Sequence, residues 1–277
     1  MPDPTFNPRL KHILEGARRL NVPQPDQRLP VTAALLSRLP KRLHLATPNL
    51  HDQQMFWAAF TISHHFLLRV SELTSPSPTS FDPATTLLLQ DVHWSTYTLE
   101  ITLKQSKTDQ RRKGIKLSLT PSEAPATFAA CLAYTKRRQL QRPPNLPFFV
   151  HDSGRYLTRN DLSNALKISL PPEEDRDRYS SHCFRIGGAT SAAASGASAE
   201  AICARGRWKS SSFLRYIRPC PTRTFLFGAP PHSRSSLAQW YAQNRTGSSR
   251  IRIILAMNQD STPWPRIREH TWPRIRC

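Results

Sequence analysis

The sequence predicts a mostly helical α+β fold with a small antiparallel sheet. Three observations predict it. Apolar residues recur at three- and four-residue spacings over residues 49–73, and helical patterning returns after residue 180. Residues 86–119 between them switch to alternation and are rich in Thr, Val, Ile and aromatics, which reads as strands. The order is therefore helices, then strands, then helices, so the sheet is segregated rather than interleaved.

The elements follow in chain order. "PRLKHILEGARRL", residues 8–20, has apolar residues at helical spacing and predicts a short helix. "NVPQPDQRLP" is polar and proline-rich and reads as a linker. "PVTAALLSRLPKRL" opens with Pro and Thr, a helix-start signal. In "NLHDQQMFWAAFTISHHFLLRVSEL", Met55, Phe56, Ala59, Ile62, Phe66 and Val70 mark one long helix. "TLLLQDVHWS", "YTLEITLKQS" and "IKLSL" read as three strands, the last two joined by the polar turn "TDQRRKG". "PATFAACLAYTKRRQL" and "RNDLSNALKISL" read as helices, with a short strand and turn at "PFFVHDSGRYLT" between them. "EEDRDRY" is a solvated charge run, and residues 180–218 hold three helices broken near Gly196 and Gly206.

Composition narrows the partners. The chain has 277 residues, enough for one large domain or two small ones. It carries 39 Lys and Arg against 19 Asp and Glu, a net charge of +20, which favours a polyanionic partner, nucleic acid first. Its five cysteines form no CxxC pair and are odd in number, which argues against a disulfide framework or a zinc site and fits a reducing compartment. "MPDPTFNPRL" lacks a signal-peptide core, and no run approaches the roughly 20 apolar residues of a membrane span. The expectation is a soluble, intracellular protein without a membrane partner. The tail from residue 221 is arginine-rich and contains "WPRIR" twice; Pro in both copies blocks a regular helix, so the tail reads as basic and disordered.

The chemistry concentrates in a few stretches. In "SHCFRIGGAT", His182 and Arg185 stand at i and i+3, on one helix face, as two cationic donors. The small residues after them allow close packing against a neighbour. "GRWKSSSFLRYIRP" adds Trp208 and Tyr216. Upstream, Arg69 ends an apolar helix in "FLLRVSELTS", an odd place for a charge unless something anionic meets it, and Glu72 follows at i+3. "LKQSKTDQ" places Lys104 and Lys107 at a hairpin tip. Taken singly, Trp208 and Tyr216 could be core aromatics and Lys107 an ordinary hairpin lysine. His64 and His65 lack metal-site spacing, and Tyr134, Tyr156 and Tyr179 lack the flanking pattern of Tyr216.

An Arg, a hairpin Lys, a His-x-x-Arg, an indole and a Tyr, in this order, resembles the tyrosine recombinases and phage integrases. The resemblance covers roughly residues 27–220, the family's catalytic domain. The wording of "SELTSPSPTSFDP", "SKTDQRRKG", "FRIGGATSAAASG" and "GRWKSSSFLRYIR" is most similar to recombinases of eukaryotic mobile elements of the Crypton and DIRS type. The resemblance implies a domain plan. Residues 1–26 would be a remnant of the N-terminal helical clamp domain, otherwise largely missing; residues 27–220 would be the catalytic domain, and 221–277 a basic tail.

It also implies an activity. The protein would be a site-specific recombinase or integrase that cuts and rejoins double-stranded DNA through a 3′-phosphotyrosyl intermediate. Arg69 and Arg185 would clamp the phosphate with charge-assisted hydrogen bonds. Tyr216 would be the nucleophile. His182 would act on its proton or on the phosphoryl oxygen, and Lys107, or else Lys104, would protonate the leaving oxygen. Trp208 would donate its indole N–H to the phosphate, and Glu72 would orient His182 or Arg69. No metal or cofactor is required. Self-association on DNA and, in a eukaryote, nuclear residence would follow. The alternative is a catalytically inactive DNA-binding remnant of such an enzyme. A type IB topoisomerase uses similar groups but fits the motif wording less well.

Overall fold

In the computed structural model the described residues are 26–95, 97–104, 114–139 and 143–218, with residue 12. The expected helix over 8–20 apart from residue 12, the hairpin tip with Lys107, nearly all of the expected N-terminal remnant and the arginine-rich tail lie outside them. The architecture is mostly helical with one three-stranded antiparallel sheet.

Helix α1 (Ala33–Leu36) begins at Thr32, whose hydroxyl caps Leu35 N–H at 3.2 Å. It is a single turn, because Pro40 has no N–H to continue it, and the chain goes on as a 3₁₀ turn, Pro40–Leu45. Helix α2 (Leu50–His65) is capped by Asn49 and runs through the core, with Met55, Ala58, Ala59, Phe60 and Ile62 fully buried. Its face is wider than the spacing of the apolar residues suggests. Thr61, Ser63 and His64 are buried too, and the Ser63 hydroxyl donates back to Ala59 O at 2.6 Å.

The sheet runs β1 (Val92–Trp94), β2 (Leu99–Leu103), β3 (Ile115–Leu119), with Val92 opposite Ile101 and Leu99 opposite Leu119. Leu99, Ile101 and Leu103 alternate inward along β2, as a half-buried strand requires. Helices α3 (Pro125–Gln139) and α4 (Arg159–Ser169) follow; α4 starts with a reciprocal capping box between Thr158 and Asp161. Helices α5 (Cys183–Ala194) and α6 (Ala199–Gly206) and a 3₁₀ turn, Ser211–Tyr216, complete the fold. The third of the helices expected after residue 180 is thus a short 3₁₀ segment.

Other expectations fail too: "TLLLQDVHWS" is a strand only over Val92–Trp94, after a 3₁₀ turn at Leu89–Asp91, and "PFFVHDSGRYLT" forms isolated bridges in place of a strand. The long helix read over residues 49–73 stops at His65. Leu67 takes a left-handed conformation, φ 51°, and Leu68 N–H bonds back to Ser63 O at 3.0 Å, which closes a Schellman end. The apolar run continues past this turn, so periodicity gave no warning of it. After the turn Arg69 begins a separate 3₁₀ segment, Val70–Glu72.

Helix α5 explains the small residues around Arg185. A Cβ on Gly187 would lie 1.8 Å from Val31 O, and one on Gly188 2.2 Å from His64 O. Backbone packs on backbone at both positions, with Val31 N–H also donating to Cys183 O at 3.0 Å. The end of α2 and the segment before α1 are thereby locked to the helix that carries Arg185. Among the described residues no helix is long and apolar enough to cross a membrane, and no cluster of His, Cys, Asp or Glu could hold a metal.

Candidate active site

Arg185 lies at the centre of the site and is 1% exposed. Its Nη1 donates to Leu67 O and its Nη2 to Gly206 O at 2.7 Å. Gly206 is the last residue of α6, and Leu67 stands in the turn that closes α2. Helix α6 also closes with a Schellman end: Trp208 N–H bonds to Cys203 O at 3.0 Å, and Arg207 occupies the left-handed position at φ 57°. The chain then folds Trp208 back over Gly206, where a Cβ would fall 1.7 Å from the indole. The Arg185 guanidinium carbon lies 4.2 Å from the centre of the Trp208 ring and 5.4 Å from that of Tyr216. Burial, then the charges of Arg69 and Arg207, lower the Arg185 pKa to about 10, so it is cationic at neutral pH.

Tyr216 ends the last 3₁₀ turn, half-buried. Its ring is 4.9 Å from that of Trp208 and 5.3 Å from that of His182. The Thr190 hydroxyl, from α5, donates to Tyr216 O at 3.1 Å and accepts from Arg218 N–H at 3.1 Å, which fixes the backbone on both sides. His182 is the N-cap residue of α5. Burial first, then Arg28 and Arg185, push its pKa down to about 4. The expectation of two cationic donors is therefore corrected: at neutral pH a cationic Arg185 stands beside a neutral imidazole, which can accept a proton.

The same physics sets an acid limit on stability. Burial lowers His64 to about 4 and His65 to about 3, against an ordinary value of 6.5. These imidazoles and His182 are neutral in the fold and take up protons more readily when unfolded. Their contribution is fully present above about pH 6.5 and is lost as pH falls toward 4. For buried His64 the loss is on the order of 3 kcal/mol by pH 4. Thermal melts from pH 7 to 4 should show a steep fall, made shallower by His64→Asn.

Arg69 joins this centre through Glu72. The Glu72 side chain is 3% exposed; it accepts from Arg69 N–H at 2.8 Å, Arg69 Nη1 at 3.0 Å and Arg207 Nη2 at 2.7 Å. Of the two partners expected for Glu72 from the sequence, Arg69 is the one these hydrogen bonds reach. Arg69 is 22% exposed and borders an open groove of about 600 Å³, lined also by Ser71, Thr74, Thr158, Arg159 and Asn160. Lys104 is engaged elsewhere: its Nζ pairs with Asp91 at 2.7 Å and donates to Pro83 O at 3.0 Å.

Three further basic residues belong to the site and are not singled out by the sequence, although Arg207 stands inside "GRWKSSSFLRYIRP". Arg207 faces Glu72, Arg159 opens α4 at the groove, and Arg28 lies near His182 and Tyr216. Arg28 grips Asp26 through two nitrogens at 2.8 and 3.0 Å, and Arg218 reaches the same carboxylate at 2.9 Å. The Arg28 hydrogen bond holds the Asp26 carboxyl well below its usual range, at about 2.

No family model matches the chain, and no curated protein matches it. Solved structures do. The chain is similar to the XerA recombinase, at 15% identity over 86% of this chain and 73% of that one, TM-score 0.51. It is also similar to the XerH site-specific recombinase bound to palindromic difH substrate (14%, 69% and 49%, TM-score 0.48) and to the Tn1549 transposon integrase in complex with circular intermediate DNA (16%, 73% and 64%, TM-score 0.44). It spans about half the length of the XerH chain. Of these three, the XerA likeness carries the assignment, and what it gives is the fold: that of a tyrosine-recombinase catalytic domain.

Proposed function

We propose that this chain is a DNA strand-transfer enzyme that cuts and rejoins double-stranded DNA through Tyr216. The observation that carries the reading is the convergence on Tyr216 of a buried Arg185, the Trp208 indole and a neutral His182. The phenol oxygen attacks a backbone phosphorus, the bond from phosphorus to the 5′ oxygen breaks, and a 3′-phosphotyrosyl ester forms. Neutral His182 is suited to take the phenolic proton. Arg185 and Arg69 bear on the negative charge that builds on the non-bridging oxygens. Lys107 is proposed to protonate the 5′ oxygen, since Lys104 is held by Asp91 and Pro83. The motif wording further supports an origin in a mobile element of the Crypton or DIRS type, with action in a nucleus and self-association on DNA.

A suicide DNA substrate, in which the cleaved strand loses its rejoining end, tests the reading. The unchanged chain should appear on a denaturing gel as a covalent protein–DNA adduct. If it binds such DNA and never forms the adduct, a non-catalytic DNA-binding role replaces this one.

Binding should be dominated by phosphate contacts, given the net charge of +20. Fluorescence anisotropy should show affinity falling by roughly 10³-fold or more between 50 and 200 mM salt, as for proteins that neutralise six or more phosphates. Affinity that stays level over that range would contradict a phosphate-led interface.

A further inference from the structure

Arg207 holds an unfavourable backbone conformation. At φ 57° and ψ 38° it occupies a helix-end position where glycine is usual, because other side chains crowd the following carbonyl. A bulky residue kept there, in contact with a buried carboxylate, points to a task for its side chain. That side chain is 7% exposed. Its Nη2 meets Glu72 Oε2 at 2.7 Å and its Nη1 meets Phe66 O at 3.4 Å. The same Oε2 accepts Arg69 N–H, while Oε1 accepts Arg69 Nη1. Glu72 therefore lies between two guanidiniums, one three residues away along the chain and one 135 residues away.

We infer that Arg207 is a positioning residue: through Glu72 it sets the direction of the Arg69 guanidinium and preserves its charge for a DNA phosphate. The inference rests on the strand-transfer reading above. The charges explain the need. Among the described residues of this cluster, Glu72 is the carboxylate shared by Arg69 and Arg207, and Arg185 feels all three charges. With Arg207 present, Glu72 divides its attraction and the three guanidiniums keep a net positive field. Without Arg207, the buried carboxylate has Arg69 alone. It then draws that guanidinium in and cancels most of its charge, leaving Arg185 as the main cation at the phosphate.

The test uses the full chain with Arg207→Gly, which suits the left-handed backbone and so separates folding from positioning. The variant should melt close to the unchanged protein, while the adduct rate on suicide DNA falls by roughly 10- to 100-fold, the scale on which outer partners of reactive groups act. In a Glu72→Gln background the same substitution should change the rate by less than roughly threefold, because the residue it acts through no longer carries charge. A folded Arg207→Gly protein at the parental rate overturns the inference, as does an equal loss in the Glu72→Gln background. If Arg207→Gly does not fold, Arg207→Met, which keeps the bulk and loses the charge, takes its place. Nitrogen-15 NMR of the arginine side chains reads the same point without activity: the Arg69 guanidinium signals should shift and broaden in Arg207→Gly. If the unchanged chain forms no adduct, the strand-transfer reading fails, and this NMR comparison alone decides on Arg207; unchanged Arg69 signals overturn it.

Discussion

A Tyr216→Phe protein should fold, bind DNA with unchanged affinity and form no covalent adduct at all. The substitution removes one oxygen. The ring contacts with Trp208 and His182 remain, and so does the backbone bond from the Thr190 hydroxyl, because it ends on the Tyr216 carbonyl and not on the phenol. Loss of the nucleophile is absolute, since the proposed ester has no other oxygen to form on. Arg185→Lys is a graded comparison. A single ammonium cannot reach both Leu67 O and Gly206 O, nor reproduce a planar fork. The adduct rate should fall by roughly 10²–10³, the worth of one donor to a developing oxyanion. An adduct still formed by Tyr216→Phe would remove Tyr216 from the nucleophile's place.

Gly187→Ala should unfold the protein or come close to it. The added methyl would sit 1.8 Å from Val31 O and 2.4 Å from Val31 C, inside the van der Waals contact of main-chain atoms that no rotamer change can move. Val31 is itself bonded to Cys183, so helix α5 and the segment before α1 would have to separate. A cost of about 3 kcal/mol or more is expected, above the usual range for an overpacked core. Gly196→Ala is the control. It meets no atom within 4 Å and strains only a backbone at φ 83°, for roughly 1–2 kcal/mol. Urea denaturation of both variants should show this order; equal midpoints would mean that α5 can shift without penalty.

Much of the fold was legible because its signals are local. The Pro and Thr that open the segment at Thr32, the alternation along β2 and the spacing of Met55, Phe56, Ala59 and Ile62 each act within a few residues. The helix end at Leu67 was not legible, because a leucine in the left-handed region looks like one more apolar residue in the run. The candidate site divides in the same way. Arg69, His182, Arg185, Trp208 and Tyr216 stand in recognisable words. Arg207 stands inside one of those words, beside Trp208, but nothing local marks its role, because its partner Glu72 is remote in sequence. Arg28 and Arg159 reach His182 through space, with nothing in their neighbours to mark them.

The end of one helix and the turn after another meet on one guanidinium, and that choice of partner has a consequence for the field at the site. The carboxyl end of an α-helix carries the equivalent of about half a negative charge, from the aligned dipoles of its peptides. Helix α6 turns that end toward Arg185, whose Nη2 rests on the carbonyl of its last residue, Gly206, while Nη1 rests on Leu67 O in the turn after α2. The partial charge is spread over peptide oxygens that neither titrate nor swing away. It offsets part of the penalty of burying the cation without forming a neutral pair. A carboxylate in the same place would stabilise Arg185 more and leave it little attraction for a phosphate. Supported by main-chain carbonyls, Arg185 stays inside the protein while keeping a positive potential directed at an incoming anion.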